Sequence, residues 1–177
     1  VRIIAGRLKG RRLEGPRGAG VRPTSDGLRE TLFNVLGRSV DGARVLDAFA
    51  GTGAVGLEAL SRGARHVTFV ESNRETARLL AENVARCEGG EACMIVRDEF
   101  ARARLGRFDL VWLDPPYDAH DLAGVLTRAA EVVEVNGVVV LEHSGRRATP
   151  EFAAQLARTR VLVAGDSSLS FFACPPG

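Results

Sequence analysis

From Arg44 onward the chain switches repeatedly between short apolar runs and amphipathic stretches, and this alternation constrains the fold more than any other feature. "RVLDAFA", "HVTFVE", "ACMIVRD", "FDLVWLD" and "GVVVLEH" read as strands. "AVGLEALSRG", "NRETARLLAENVARC", "LAGVLTRAAEVV" and "PEFAAQLAR" read as helices, the last with Pro150 as a natural first-turn residue. Strands separated by helices imply right-handed βαβ units and a parallel sheet covered on both faces. The last two strands, "RVLVA" and "SLSFFAC", are separated only by "GDSS". A parallel pair needs a crossover of about a dozen residues, so these two must be antiparallel neighbours. The expected fold is α/β and Rossmann-like, with a seven-stranded, mostly parallel sheet ending in an antiparallel hairpin.

The 177 residues suffice for one full-sized domain. No run approaches the roughly 18 apolar residues of a membrane span, and "VRIIAGRLKGRR" lacks the apolar core of a signal peptide. Cys87, Cys93 and Cys174 are odd in number and lack CxxC spacing. They read as reduced thiols of a cytoplasmic protein, with neither a disulfide framework nor a zinc site. The three histidines are scattered, so no metal site is expected. A monomer is the expected state.

Charge is distributed unevenly. Residues 1–25 hold seven basic side chains against the single acid Glu14, whereas the whole chain is only +2. Their alternating Ile3, Ile4, Leu8 and Leu13 suggest a short β-hairpin, followed by the Gly/Pro-rich linker "GPRGAGVRPTSD". Residues 1–25 thus read as a basic β-arm and linker, and 26–177 as the catalytic domain. A basic arm on a mildly acidic body suits a polyanion. Arg7, Lys9, Arg11, Arg12 and Arg22 are its candidate phosphate contacts. Thr24, Ser25 or Asp26 can cap the helix that follows.

"VLDAFAGTGAVGLEA" carries the first chemical signal: Gly51, Gly53 and Gly56 form G-x-G-x-x-G between a strand and a helix. Glycines there let the backbone approach a ligand beside a helix N-terminus. Glu71 follows Gly51 by 20 residues, at the end of the next strand, where a carboxylate can bind ribose hydroxyls. A dinucleotide site would fit that much. Asp47 does not suit it, because a carboxylate there would repel a pyrophosphate. It would instead accept hydrogen bonds from a cationic amino-acid group, as in S-adenosylmethionine. Asp98 ends the third strand and could accept from an adenine amine. Asp114 ends the fourth and opens "DPPY", where Pro115 and Pro116 make a stiff corner bearing Tyr117. Four successive strands end in carboxylates, and in a parallel sheet those ends line one crevice.

D-x-F-x-G-x-G with a downstream "DPPY" resembles the methyltransferases that act on exocyclic amines of nucleobases. "RIIAG", "RPTSDGLRETLFNVL", "DAFAGTGAVGLEALSRGA" and "DPPY" together are similar to the bacterial small-subunit (16S) rRNA guanine-N2 methyltransferases of the RsmD type, over essentially the whole chain. The resemblance implies a class I methyltransferase domain that uses S-adenosylmethionine, with small-subunit rRNA or an assembled subunit as substrate. It places Asp47, Phe49, Gly51, Gly53, Glu71 and Asp98 at the cofactor. Asp114, Pro115, Pro116 and Tyr117 fall at the reacting amine. The first residue is Val where the family begins with Met. Rival readings are a DNA adenine-N6 or cytosine-N4 methyltransferase, a non-catalytic rRNA-binding assembly factor and, on the glycines alone, an NAD-dependent dehydrogenase. Arg29, Glu30 and Asn34 fit equally well as capping and surface pairs or as groups beside the cofactor, and His120 reads as an exposed loop histidine with RNA contact as its alternative.

Overall fold

The computed structural model describes residues 1–17 and 24–176. Arg22 therefore lies outside the described residues. The elements run α1 (Asp26–Leu36), β1 (Arg44–Asp47), α2 (Ala54–Ser61), β2 (His66–Val70), α3 (Arg74–Arg86), β3 (Cys93–Val96), β4 (Phe108–Leu113), α4 (Leu122–Val132), β5 (Val133–Ser144), β6 (Phe152–Ala153), β7 (Leu156–Ala164) and β8 (Ser167–Ala173). Among the described residues the strands form one sheet in the order β3-β2-β1-β4-β5-β8-β7-β6. The first five are mutually parallel, and β8, β7 and β6 add on antiparallel. Among the described residues no helix is long and apolar enough to cross a membrane.

Strand alternation sorts the core onto two faces. Val45, Phe69, Leu110, Trp112, Val140 and Phe171 face α1, α2 and Leu80 of α3. Leu46, Val111, Leu113, Leu141 and Phe172 face α4 and Phe100. Helix α2 is buried on all sides, as expected of a helix apolar all round. Ser25 caps α1, its Oγ accepting from the Leu28 N–H at 3.1 Å, and Asn73 caps α3 through the Thr76 N–H at 3.0 Å.

Two sequence expectations need correction. "PEFAAQLAR" is not a helix. Phe152–Ala153 and Leu156 onward form a hairpin, turning at Ala154 with φ 51°. Ala, Gln and Leu favour a helix only weakly, and pairing with β8 outweighs that propensity. The sheet consequently has eight strands instead of seven. The antiparallel β7–β8 hairpin itself is as expected.

The N-terminal segment is a short hairpin, with an antiparallel bridge between Arg2 and Arg12. The Ile3 N–H donates to the Arg11 carbonyl at 3.0 Å, the Gly10 N–H to the Ile3 carbonyl at 2.8 Å and the Leu13 N–H to the Val1 carbonyl at 2.9 Å. Other backbone groups of the segment bond to the body. Glu58 of α2 accepts from the Ile4 and Ala5 N–H groups at 2.9 and 3.0 Å. The Ser61 Oγ accepts from the Leu8 N–H at 2.9 Å. The Asn83 side chain brackets Glu14, accepting from its N–H and donating to its carbonyl. Ile3, Leu8 and Leu13 are buried in the same core as α1 and α2.

Arg29 is the hub of this attachment and not a surface residue. Its side chain is fully buried, pairs with the equally buried Glu58 at 3.3 Å, and donates to the Arg2 carbonyl at 2.9 Å. Glu58 also holds Arg62 at 2.9 Å. Glu30, Asn34 and His120 are exposed.

Candidate active site

The C-terminal ends of the parallel strands open into a crevice of about 780 Å³, a size typical of sites for cofactor-sized ligands. Asp47, Glu71, Asp98 and Asp114 all line it, so the four strand-end carboxylates do converge. A fifth, Glu142 near the end of β5, joins them and was missed. The signal existed: "VVVLEH" is another apolar run that stops on an acid.

The floor is built by the glycine turn. Gly53 is the N-cap of α2 and has φ 84°, which side chains with a Cβ disfavour. A Cβ on Gly56 would lie 2.4 Å from the Phe69 ring, so this glycine lets α2 sit on β2. The Gly56 N–H then donates to Asp47 Oδ2 at 3.0 Å. Gly51 sits at the crevice wall, where a Cβ would meet nothing within 4 Å, and its N–H donates to Glu71 Oε2 at 2.8 Å. The other Glu71 oxygen accepts from the Asn73 N–H at 3.0 Å. Glu71 is thereby held from two sides, with lone pairs left over on each oxygen.

Asp47 is 1 % exposed, and its Oδ1 has no hydrogen-bond partner. Burial drives its carboxyl up to about 7, against the lowering effect of the Gly56 N–H, and the Glu71 charge adds to the rise. A buried carboxylate oxygen without a donor is costly unless a ligand supplies one. The vacancy suits a ligand with a cationic end, while Glu71 suits vicinal hydroxyls. Asp98 is half-buried; its Oδ1 takes the Glu99 N–H at 2.7 Å, and Arg102 stands 3.9 Å away. Phe49 and Phe100 line the same region edge to face, with centroids 5.6 Å apart. Phe100, two residues beyond Asp98, was not singled out from the sequence.

On the neighbouring strand, beside Asp47, stands the "DPPY" corner. Asp114 continues β4, Pro115 is buried, and Pro116 and Tyr117 are exposed, Tyr117 to 71 %. Burial, and then the neighbouring Glu142 and Asp47 charges, raise the Asp114 carboxyl to about 8. Glu142 is also raised, chiefly by burial, although the hydroxyls of Ser167 and Thr24 oppose the shift. Thr24 Oγ1 donates to Glu142 Oε2 at 3.4 Å, tying the start of α1 to the crevice. Thr24 and Ser25, read from the sequence only as caps, are wall residues as well.

The basic residues of the N-terminal segment do not join this cluster. The Leu8 contact to Ser61 puts Arg7 and Lys9 at the C-terminal end of α2. With about 1.5 Å of rise per residue, that end lies roughly 12 Å from the helix N-terminus at the crevice. Arg7, Lys9 and Arg12 are exposed, whereas Arg11 is bound to the Arg86 carbonyl and lies 3.5 Å from Glu88.

Comparison with known proteins points to one family. Residues 1–173 match the family model described as "Conserved hypothetical protein 95". Ribosomal RNA small subunit methyltransferase D of Escherichia coli strain K12 is 35% identical over 173 residues, 93% of this chain and 85% of that protein. Bacillus subtilis YlbH, provisionally named an rRNA methyltransferase, is 36% identical over 168 residues, 90% of this chain and 91% of that one. Among solved structures, Escherichia coli yhhF, provisionally named a methyltransferase, superposes with a TM-score of 0.85 at 32% identity, covering 97% of this chain and 96% of that one.

Proposed function

This chain belongs to the RsmD family of ribosomal RNA small subunit methyltransferases, and we propose that it transfers a methyl group from S-adenosylmethionine to the N2 amine of a guanine in small-subunit rRNA. The single observation that carries this reading is the placing of two carboxylates on adjacent strands in one crevice. Asp47 is buried with an oxygen that lacks a donor, and Asp114 stands beside it on the rigid proline corner. Asp47 would hold the ammonium of the cofactor and Glu71 its ribose hydroxyls. Asp98 would accept from the adenine amine. The backbone at Gly51 and Gly53, with Phe49, would form the remaining contacts. When bound, the cofactor supplies an electrophilic methyl group on a sulfonium.

The residues of the corner address the difficulty of the reaction. A base amine is a poor nucleophile because its lone pair is delocalised into the ring. Asp114 accepting one N–H and the Pro115 carbonyl the other would favour a tetrahedral nitrogen whose lone pair is free to attack. The prolines fix these acceptors beforehand, so orientation is not sought during the reaction. Tyr117, exposed at the rim, offers a face for an extruded base to stack on. A carboxyl that titrates at about 8 accepts best once ionised, so transfer should accelerate as pH rises between about 7 and 9. Arg7, Lys9 and Arg12 would bind phosphates remote from the target base, in a cytoplasmic setting, and Arg22, outside the described residues, is a further candidate phosphate contact. The relatives do not favour the DNA methyltransferase or the non-catalytic alternative.

The test is methyl transfer from labelled S-adenosylmethionine to small subunits from a strain lacking the modification, followed by nucleoside analysis. N2-methylguanosine is the expected product. Methylation of another atom would reject the guanine assignment, and tight NAD binding with no methyl transfer would reject the reaction.

A further inference from the structure

We propose that Glu142 determines base specificity: with Asp114 it presents two adjacent carboxylate acceptors to the base, a pattern that guanine alone among the four bases can satisfy. The inference rests on the reading that the substrate is a base amine held at Asp114.

The geometry follows from strand register. Leu113 of β4 pairs with Leu141 of β5 in a parallel ladder, so Asp114 and Glu142 are next in register on neighbouring strands. Such strands lie about 4.8 Å apart, and successive side chains alternate between faces. Trp112 and Val140, two residues earlier, belong to the core on the α1 and α2 side, and Asp114 and Glu142 follow on that side. Asp47, paired in register with Trp112, lies on the same side. Three carboxylates on three adjacent strands thus share one face and one crevice, and none has an ion-pair partner among the described residues. Asp47 Oδ1 has no hydrogen-bond donor either. Glu142 accepts a long hydrogen bond of 3.4 Å from Thr24 and is otherwise met by the Ser167 hydroxyl and the Asp114 carboxyl, with no cation paired to it among the described residues. Clustered acceptors without cations call for a ligand rich in donors.

The edges of the bases differ in what they offer. Guanine presents two neighbouring donors, N1–H and the N2 amine. Adenine presents its amine beside the unprotonated N1, and cytosine presents its amine beside the unprotonated N3. With the amine at Asp114, guanine turns N1–H toward Glu142, whereas adenine or cytosine turns a lone pair toward it. A polar site that meets the wrong partner rejects it strongly, by far more than a missing methylene would. Glu142 would therefore select the base while Asp114 serves the reaction.

A base analogue separates these roles. 2,6-Diaminopurine keeps the amine at position 2 but has an unprotonated N1. Small subunits are reconstituted with guanosine or the 2,6-diaminopurine riboside at the mapped target position. Single-turnover methylation is then measured at about pH 9, above the value of about 8 to which Asp114 is raised. Wild-type protein should prefer guanine by at least about 100-fold. Glu142→Gln, whose amide can donate to N1, should shrink that preference at least about tenfold, and Glu142→Asp should preserve it. Each preference is a ratio within one protein, so partial loss of folded material cancels. Should Glu142→Gln not fold, the wild-type ratio decides, since methylation of both substrates within about threefold overturns the proposal. So does an unchanged ratio in Glu142→Gln. Failure of wild type to form N2-methylguanosine on the guanine substrate is a different result: it rejects the functional reading and the inference with it.

Discussion

Asp47→Asn isolates the part of the site that the sequence could place but not weigh. The wild-type carboxyl is 1 % exposed and titrates at about 7, against 3.8 for a free side chain. Its raised native value means that the folded state binds the proton more tightly than the unfolded state. The stabilising contribution is complete below the unfolded value and is lost as pH climbs through 7. Fully ionised, the group burdens the native state by about 4 kcal/mol, taking 1.36 kcal/mol per pH unit. About 2–3 kcal/mol of this develops between pH 5 and 8. Asparagine carries no such burden and can still accept from the Gly56 N–H. The stability of Asp47→Asn relative to wild type, from urea unfolding, should therefore increase by about 2–3 kcal/mol between those pH values. Cofactor binding should move the other way. Loss of a charged acceptor should cost about 1.5–3 kcal/mol. Wild-type affinity should rise about tenfold per pH unit from 5 to 7 while that of the variant stays flat. Calorimetry in buffers of different ionisation enthalpy would detect proton release by wild type alone. Parallel stability profiles for the two proteins, or pH-independent binding by wild type, would refute the reasoning.

Two further outcomes test how the N-terminal segment is attached and used. Glu58→Ala removes the acceptor for the Ile4 and Ala5 N–H groups and strands the buried Arg29; unfolding free energy should fall by about 3–5 kcal/mol, and a loss below 1 kcal/mol would contradict the role assigned to this hub. Neutralising the exposed Arg7, Lys9 and Arg12 should flatten the salt dependence of RNA binding by up to about 0.7–0.9 units of log-log slope per lost phosphate contact. Arg11→Gln, removing a side chain already engaged by Arg86 and Glu88, should do less. An unchanged slope in the triple variant would move the RNA surface elsewhere.

Much of this molecule was readable from residue order because its elements obey local rules. The βα alternation, the glycine turn and the strand-end acids all reflect a parallel sheet whose ligands bind at its C-terminal edge. Where tertiary contacts outvote local preference, the reading failed. Pro150–Arg158 has a helical composition, yet Leu156 onward pairs with β8, a partner that no local pattern reveals. The N-terminal hairpin was legible from its alternation, but its docking was not, because Glu58, Ser61 and Asn83, which bind its backbone groups, lie more than 50 positions away in sequence. Arg29 was legible neither as a surface pair nor as a cofactor contact, the two roles its spacing offers, because its partner Glu58 is 29 positions away in sequence. Glu142 was passed over because its meaning comes from Asp114, on the neighbouring strand.

The most direct measurement is single-turnover methyl transfer to unmodified small subunits by wild type and Asp114→Ala, with cofactor affinity determined alongside. If Asp114 holds the amine as it becomes tetrahedral, its interaction is stronger in the transition state than in the ground state. Asp114→Ala should then lower the transfer rate by at least about 100-fold, leave cofactor affinity near that of wild type, and yield no N2-methylguanosine on the wild-type timescale. Full single-turnover activity in Asp114→Ala would contradict the account.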